Sequence, residues 1–377
     1  MDFSLTEEQQ LLRDSIARFV QNEYSFEARQ AIVASPAGWS AKVWTQFADM
    51  GLLGVPFAEA DGGFGGSAID VMVVMQELGR GIVVEPYLST VVLGGGLIAL
   101  AGTESQRQAT LPAIVGGEKR LALAYGEPQS RYDLHDVATR AQRSGTTYAI
   151  SGRKSVVLHG AAADTLIVSA RTAGGQRDPV GITLFMVDAK ARGVTVHDYR
   201  TIDGLRAADI SLDEVRVGAD SILGPPDGGH APLERAIDLG AAALCAEAGG
   251  VMETLNALTL ENLKARQQFG QPIGRFQALQ HRAVDMLIHA EQAKSIACLA
   301  AARADADDAA ERRRAVSAAK SLIGRSGRAV AKEATQLHGG MGVALELPAA
   351  HFAKRLTMID FWLGEADWHT ERFAATT

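Results

Sequence analysis

The chain has 377 residues, 47% of them hydrophobic, enough apolar material for a large core and for two or three domains. Its 37 Lys and Arg stand against 44 Asp and Glu, and the net charge of -7 excludes a general affinity for nucleic acid or an anionic membrane surface. The two cysteines, Cys245 and Cys298, have no CxxC or Cys/His spacing, which excludes a disulfide framework and a structural zinc site and makes the reducing cytoplasm the natural compartment.

Residues Met1 to Glu8 have no basic region followed by an apolar run, so they do not read as a signal peptide. From Thr6 to about Glu118 the pattern is helical, with Leu11, Leu12, Ile16, Phe19 and Val20 at three-to-four-residue spacing behind a Thr6-Glu7-Glu8-Gln9 cap. The segment Phe57 to Ser67 breaks it with Asp61-Gly62-Gly63 and Gly65-Gly66, a loop suited to tight turns or to a phosphate cradle. The most apolar stretch, Ile82 to Ala101, is interrupted by Glu85, Pro86 and three glycines, which argues against a membrane span.

Between about Lys119 and Leu223 the texture is β-rich, with runs at 147–150, 155–158, 165–168 and 182–187. Ser151-Gly152 and Ala173-Gly174-Gly175 read as turns between them. With no helix between the runs, a β barrel or sandwich is expected, and the absence of GxGxxG after a strand removes the main nicotinamide reading. Beyond Pro225-Pro226 the chain is helical again, with Ala-rich segments at 236–266, 277–304 and 307–337 whose apolar faces call for a bundle and for an oligomer. The expected fold is therefore multidomain α+β: an N-terminal helical domain (1–118), a middle β domain (119–222) and a C-terminal domain like a four-helix bundle (223–377). The charged run from Arg303 to Arg314 reads as a solvated connection between helices. His159, His338 and His369 have no partner spacing for a metal or a triad and read as structural.

The order α, β, α, with Arg266-Gln267-Gln268-Phe269-Gly270-Gln271-Pro272-Ile273-Gly274-Arg275-Phe276-Gln277 and Gln336-Leu337-His338-Gly339-Gly340-Met341-Gly342, resembles the acyl-CoA dehydrogenase family over nearly the whole chain. The surroundings of His159 and Cys245 to Gly250 most resemble the small subunit of pimeloyl-CoA dehydrogenases. The resemblance implies an oxidoreductase of fatty acid metabolism, with FAD, a trans-2-enoyl-CoA product and an electron-transfer flavoprotein as electron acceptor. The acyl-CoA substrate would be dicarboxylic or medium-to-long, and the assembly heterotetrameric with a homologous subunit or self-associated. By the same resemblance Arg266, Phe269, Gln277, Gln336 and Gly340 would hold the adenosine and diphosphate half of FAD, a task suited to a guanidinium fork and to a glycine that lets backbone donors approach. Asp238 matches an Asp near the CoA adenine, although the neighbouring Arg of the family is Ala241 here.

The flavin-ring side departs from the family. Gly126-Glu127-Pro128 and Arg131-Tyr132-Asp133 replace Thr-Glu-Pro and Gly-Ser-Asp, and Val156 and Leu158 stand where a Trp and a Thr flank the ring. The base is missing as well, since Leu363 occupies the position of the family Glu and Gly240 the alternative one. Glu247 lies seven residues after Gly240, on about the same helical face and roughly 10 Å along the axis, among apolar neighbours that would raise its pKa toward general-base range. It is the first candidate for the base, against the alternative that it pairs with a basic side chain inside the bundle. Glu365 is the second, against a role as a helix N-terminal acid. If neither acts, the chain is a non-catalytic partner that completes the FAD site of a Glu-containing dehydrogenase subunit.

Overall fold

The computed structural model describes residues 5–376. Eleven α-helices are described: α1 (Glu7–Glu23), α2 (Phe26–Ala34), α3 (Ala41–Asp49), α4 (Ala68–Arg80), α5 (Gly96–Ala101), α6 (Glu104–Val115), α7 (His230–Ala265), α8 (Gln277–Ala304), α9 (Ala309–His338), α10 (Pro348–Phe361) and α11 (Ala366–Ala374). The chain divides into two compact units, one of Met1–Ala31, Ala68–Val83 and Ala241–Thr377, the other of Ile32–Ser67 and Val84–Gly240. Among the described residues no helix is long and apolar enough to cross a membrane.

In the first unit α1 starts on the expected capping box: Thr6 Oγ1 accepts from Gln9 N at 3.2 Å and Gln9 Oε1 from Thr6 N at 3.1 Å. Helix α7 meets α4 backbone to backbone, because Gly79 and Gly250 carry no side chain. A Cβ on Gly79 would lie 2.3 Å from Glu247 O, and one on Gly250 1.9 Å from Gln76 O. Ala290, Ala293, Ala297, Ala300, Ala301 and Ala304 form the buried face of α8. The charged run after Arg303 is only partly a solvated connection. Arg312 is 4% exposed and donates from Nη1 to Ala306 O at 3.0 Å, closing the α8–α9 turn with its backbone partners.

In the second unit the strands β1 (Leu121–Ala124), β2 (Arg140–Ser144), β3 (Thr147–Leu158), β4 (Thr165–Arg171), β5 (Ile182–Asp188), β6 (Val194–Arg200), β7 (Arg206–Gly218) and β8 (Ile222–Leu223) form one mixed sheet in the order β6-β7-β3-β2-β4-β5-β8. Strand β1 pairs with β4 in parallel. Ile150, Val157, Leu166, Val168, Phe185, Ala208, Ile210 and Val215, from four of these strands, share one apolar cluster, so the sheet is folded about its own core. Ser151-Gly152 is not a turn but part of β3. The strand bulges there and again between Lys154 and Val157, and Gly152 is required because a Cβ would lie 2.4 Å from Thr139 Oγ1. Nor do the glycines after Asp61 leave free donors for a phosphate. Gly65 N donates to Phe57 O and Gly66 N to Val55 O, at 2.7 and 2.9 Å.

Candidate active site

Helices α7, α9, α10 and α11 of the first unit surround a buried polar cluster. Glu247 is 4% exposed and Arg355, on α10, 2%. Arg355 Nε donates to Glu247 Oε1 at 2.5 Å and Nη2 to Oε2 at 2.7 Å, a fork that occupies both carboxylate oxygens. Lys320, on α9, donates from Nζ to Ile359 O at 2.6 Å and Asp360 O at 3.3 Å, so its charge meets the carbonyl end of α10. Burial pushes the Lys320 ammonium down to about 8, and pushes the neighbouring Cys245 thiol up to about 12.

The segment after α10 holds Leu363 and Glu365. Leu363 is 5% exposed with φ +59°, a left-handed conformation rare for a γ-branched side chain. Three bonds maintain that turn. Asp360 Oδ1 accepts from Ala366 N at 3.0 Å, His369 Nε2 donates to Leu363 O at 3.0 Å, and His369 N donates to Glu365 O at 3.0 Å. His369 is fully enclosed, its Nδ1 lying 3.3 Å from Ser317 Oγ, and burial, seconded by the Lys320 charge, pushes its imidazole down to about 2. Glu365 is the N-cap residue of α11, yet its side chain accepts no cap bond.

Of the predicted nucleotide-side residues, Arg266 follows the other end of α7 and meets the end of α9. Arg266 Nη1 donates to His338 O at 3.2 Å and Asn262 Nδ2 to Leu337 O at 3.3 Å, which ties the ends of α7 and α9. A short hairpin, Gln267–Gln268 against Gln271–Pro272, then carries Phe269 out at φ +55° with 89% exposure, its ring edge-on to Phe276. Gln277 opens α8, Gln336 lies in the last turn of α9, and a Cβ on Gly340 would meet nothing within 4 Å.

In the second unit Val156 and Leu158 offer no side-chain donor, and Val156 N is taken by Asp209 Oδ1 at 3.1 Å. Val156 has φ +56° and Leu158 is 7% exposed. Asp238 is fully buried, so it presents no exposed carboxylate to an adenine. Sequence reasoning missed Lys154, which lies between Arg153 and Ser155 in β3 and is fully buried. Its Nζ donates to Glu127 Oε1 at 2.6 Å and Ser169 Oγ at 3.0 Å, while Glu127 also accepts from Ala138 N and Thr139 N at 2.8 and 3.1 Å. Burial works to raise the Glu127 carboxyl, but the Lys154 charge and these bonds hold it below the usual range.

Family models for the N-terminal, middle and C-terminal domains of acyl-CoA dehydrogenase match residues 6–118, 122–215 and 227–377. The chain belongs to the acyl-CoA dehydrogenase family. It is similar to the probable acyl-CoA dehydrogenase YngJ of Bacillus subtilis, 28% identical over 372 residues and 97% of each chain. It is also similar to the caffeyl-CoA reductase-Etf complex subunit CarC of Acetobacterium woodii, 29% identical over 349 residues and 90% of each. Among solved structures the ChsE4-ChsE5 complex from Mycobacterium tuberculosis superposes with a TM-score of 0.90 at 26% identity, over 100% of this chain and 98% of that one. As a member of this family the chain is an acyl-CoA dehydrogenase-type oxidoreductase with an FAD-binding fold. Its donor set fits the nucleotide half of FAD: one guanidinium, two exposed amides and an open glycine suit a diphosphate, and the projecting Phe269 ring suits a purine face. At the ring half, Val156 and Leu158 supply no such donors.

Proposed function

We propose that this chain is one subunit of a heteromeric, FAD-dependent acyl-CoA dehydrogenase, cytoplasmic and forming trans-2-enoyl-CoA, in which a homologous subunit supplies the base. The observation that carries the reading is the Glu247 carboxylate, held at both oxygens by Arg355 inside the helical bundle. A carboxylate that must take the α proton needs a free lone pair aimed at the α carbon, and here both oxygens are occupied. Leu363, in the family position of the base, offers none either. Arg266, Phe269, Gln277, Gln336 and Gly340 would hold the adenosine and diphosphate of FAD, and the group would supply a hydride acceptor for the β hydrogen. An electron-transfer flavoprotein would be the electron acceptor, a reading supported by the similarity to a protein named as part of an Etf complex. The domain boundaries at 118 and 222, the kinship with pimeloyl-CoA dehydrogenase small subunits and a dicarboxylic or medium-to-long acyl-CoA belong to the same proposal.

A self-sufficient enzyme is the second reading, and it rests on Glu365, which lies two residues beyond Leu363 and has no cap bond. Flavin content and acyl-CoA oxidation, measured on the chain alone and after co-expression with a dehydrogenase subunit bearing the family Glu, decide between the two. Little FAD and no activity alone, with both gained on co-expression, is the expected result. A chain that is stoichiometrically flavinylated and active by itself refutes the heteromeric reading, and loss of that activity in Glu365→Gln would assign the base.

A further inference from the structure

In the second unit residues 125–139, between β1 and β2, contain no helix or strand. Buried polar groups hold this loop instead. Glu127, near its start, accepts from Ala138 N and Thr139 N at its end, at 2.8 and 3.1 Å, and from Lys154 Nζ at 2.6 Å. Asp136, 1% exposed, accepts from Gln176 Nε2 at 2.6 Å and from Arg177 Nε at 2.8 Å. Glu127 N donates to Ser130 Oγ at 2.9 Å, which fixes the base of the loop's outer turn. Charge-assisted bonds on this many sides keep the tip in one place.

The tip is the turn Ser130 to Asp133, closed by Asp133 N donating to Ser130 O at 2.8 Å. Arg131, its second residue, has φ +46°, where a long side chain is disfavoured and glycine is usual. A conformation that costs energy and is firmly held points to a task for the residue. Arg131 is exposed, and neither its guanidinium nor its backbone N–H has a partner among the described residues. The acid of the same turn, Asp133, is directed to His135, whose N donates to Oδ1 at 2.9 Å. Arg131 thus offers a planar fork of donors beside a main-chain donor, and no acceptor. A phosphate group is the complement, since its oxygens only accept and two of them match the fork. We infer that Arg131 binds the diphosphate of a nucleotide ligand. FAD and acyl-CoA, the ligands of the function proposed above, both carry one, and the inference rests on that reading for its choice of ligand. Gly-Ser-Asp, the family segment that Arg131-Tyr132-Asp133 replaces, has no cation, so the contact is particular to this chain.

The test is calorimetric titration of the purified chain with FAD and with coenzyme A in separate runs, on wild type, Arg131→Gln and Arg131→Gly. Loss of the fork should weaken binding by about 10- to 100-fold in both variants. A loss toward coenzyme A assigns the contact to the substrate, and a loss toward FAD assigns it to the cofactor. Unchanged affinity for both ligands, or a wild type that binds neither, overturns the inference. Melting curves separate binding from folding: Gly takes a positive φ freely, so Arg131→Gly should melt no lower than wild type. A lower melt would make Arg131 a structural residue and overturn the inference too. No turnover and no partner subunit enters the titration, so its failure leaves the co-expression test standing, and the reverse holds as well.

Discussion

Arg355 and Glu247 face each other through two hydrogen bonds, of 2.5 and 2.7 Å, with both side chains almost wholly withdrawn from solvent. Breaking such a pair from one side leaves an uncompensated charge inside the bundle. Arg355→Met should therefore lower stability by about 3–5 kcal/mol, and adding Glu247→Leu should return part of the loss. Urea unfolding of the two single variants and the double one measures this. A double variant as unstable as the sum of the singles would contradict a direct pair.

The same pairing bears on catalysis. In the co-assembled enzyme Glu247→Gln should leave single-turnover flavin reduction within a small factor of wild type, once FAD content is matched. If Glu247 were the base, the loss would be about 10²–10⁴-fold.

Flavin retention tests the nucleotide side. Arg266→Ala removes a charge-assisted donor beside Gly339, worth about 1.5–3 kcal/mol, so FAD affinity of the assembly should fall by about 10- to 100-fold. Leu158→Ala, which removes no donor, should change it less. Equal retention in the two variants would remove Arg266 from the site.

Acid should destabilise the chain through His369. Its imidazole ordinarily titrates at 6.5 and is pushed down to about 2 by burial. Between those values the unfolded chain binds a proton that the folded chain refuses, so stability falls as pH drops below 6.5. One unit below, the loss is about 1.4 kcal/mol. His369→Gln can still donate to Leu363 O and should lose less between pH 7.5 and 5.5; parallel losses in denaturant melts would place the titration elsewhere.

Gly250→Ala brings a Cβ within 1.9 Å of Gln76 O, and that atom is backbone. Helices α4 and α7 would have to part, at a cost of about 1–3 kcal/mol, visible as a lower melting temperature. An unchanged melt would show that the two helices are not closely held.

The long helices and strands β3, β4 and β5 were legible because their apolar periodicity or runs are long, and the Thr6 cap because its residues act locally. The continuity of β3 was not. Ser151-Gly152 has the composition of a turn, but Gly152 is small to admit Thr139, a residue of a neighbouring segment that local sequence does not reveal. Residues 140–144 gave no signal since only Ala141 of β2 is buried. Arg266, Phe269 and Gly340 stand out in the sequence because they lie in contiguous motifs. The two alternatives kept for Glu247 could not be separated without Arg355, which is 108 positions away and on a different helix. Nothing local marks Lys154, since its partner, Glu127, is 27 positions away.

The turn at Leu363 has a meaning beyond its stability. Its left-handed backbone is imposed by Asp360, His369 and the neighbouring Gly364, all acting on main-chain atoms or by close approach, and the Leu363 side chain takes no part in any of these bonds. Conformation and chemistry are thereby separable at this position: what the residue is can change while where it sits does not. In a lineage of duplicated genes such a position can lose or acquire a reactive group in a single replacement, leaving a chain that still folds and assembles as its ancestor did.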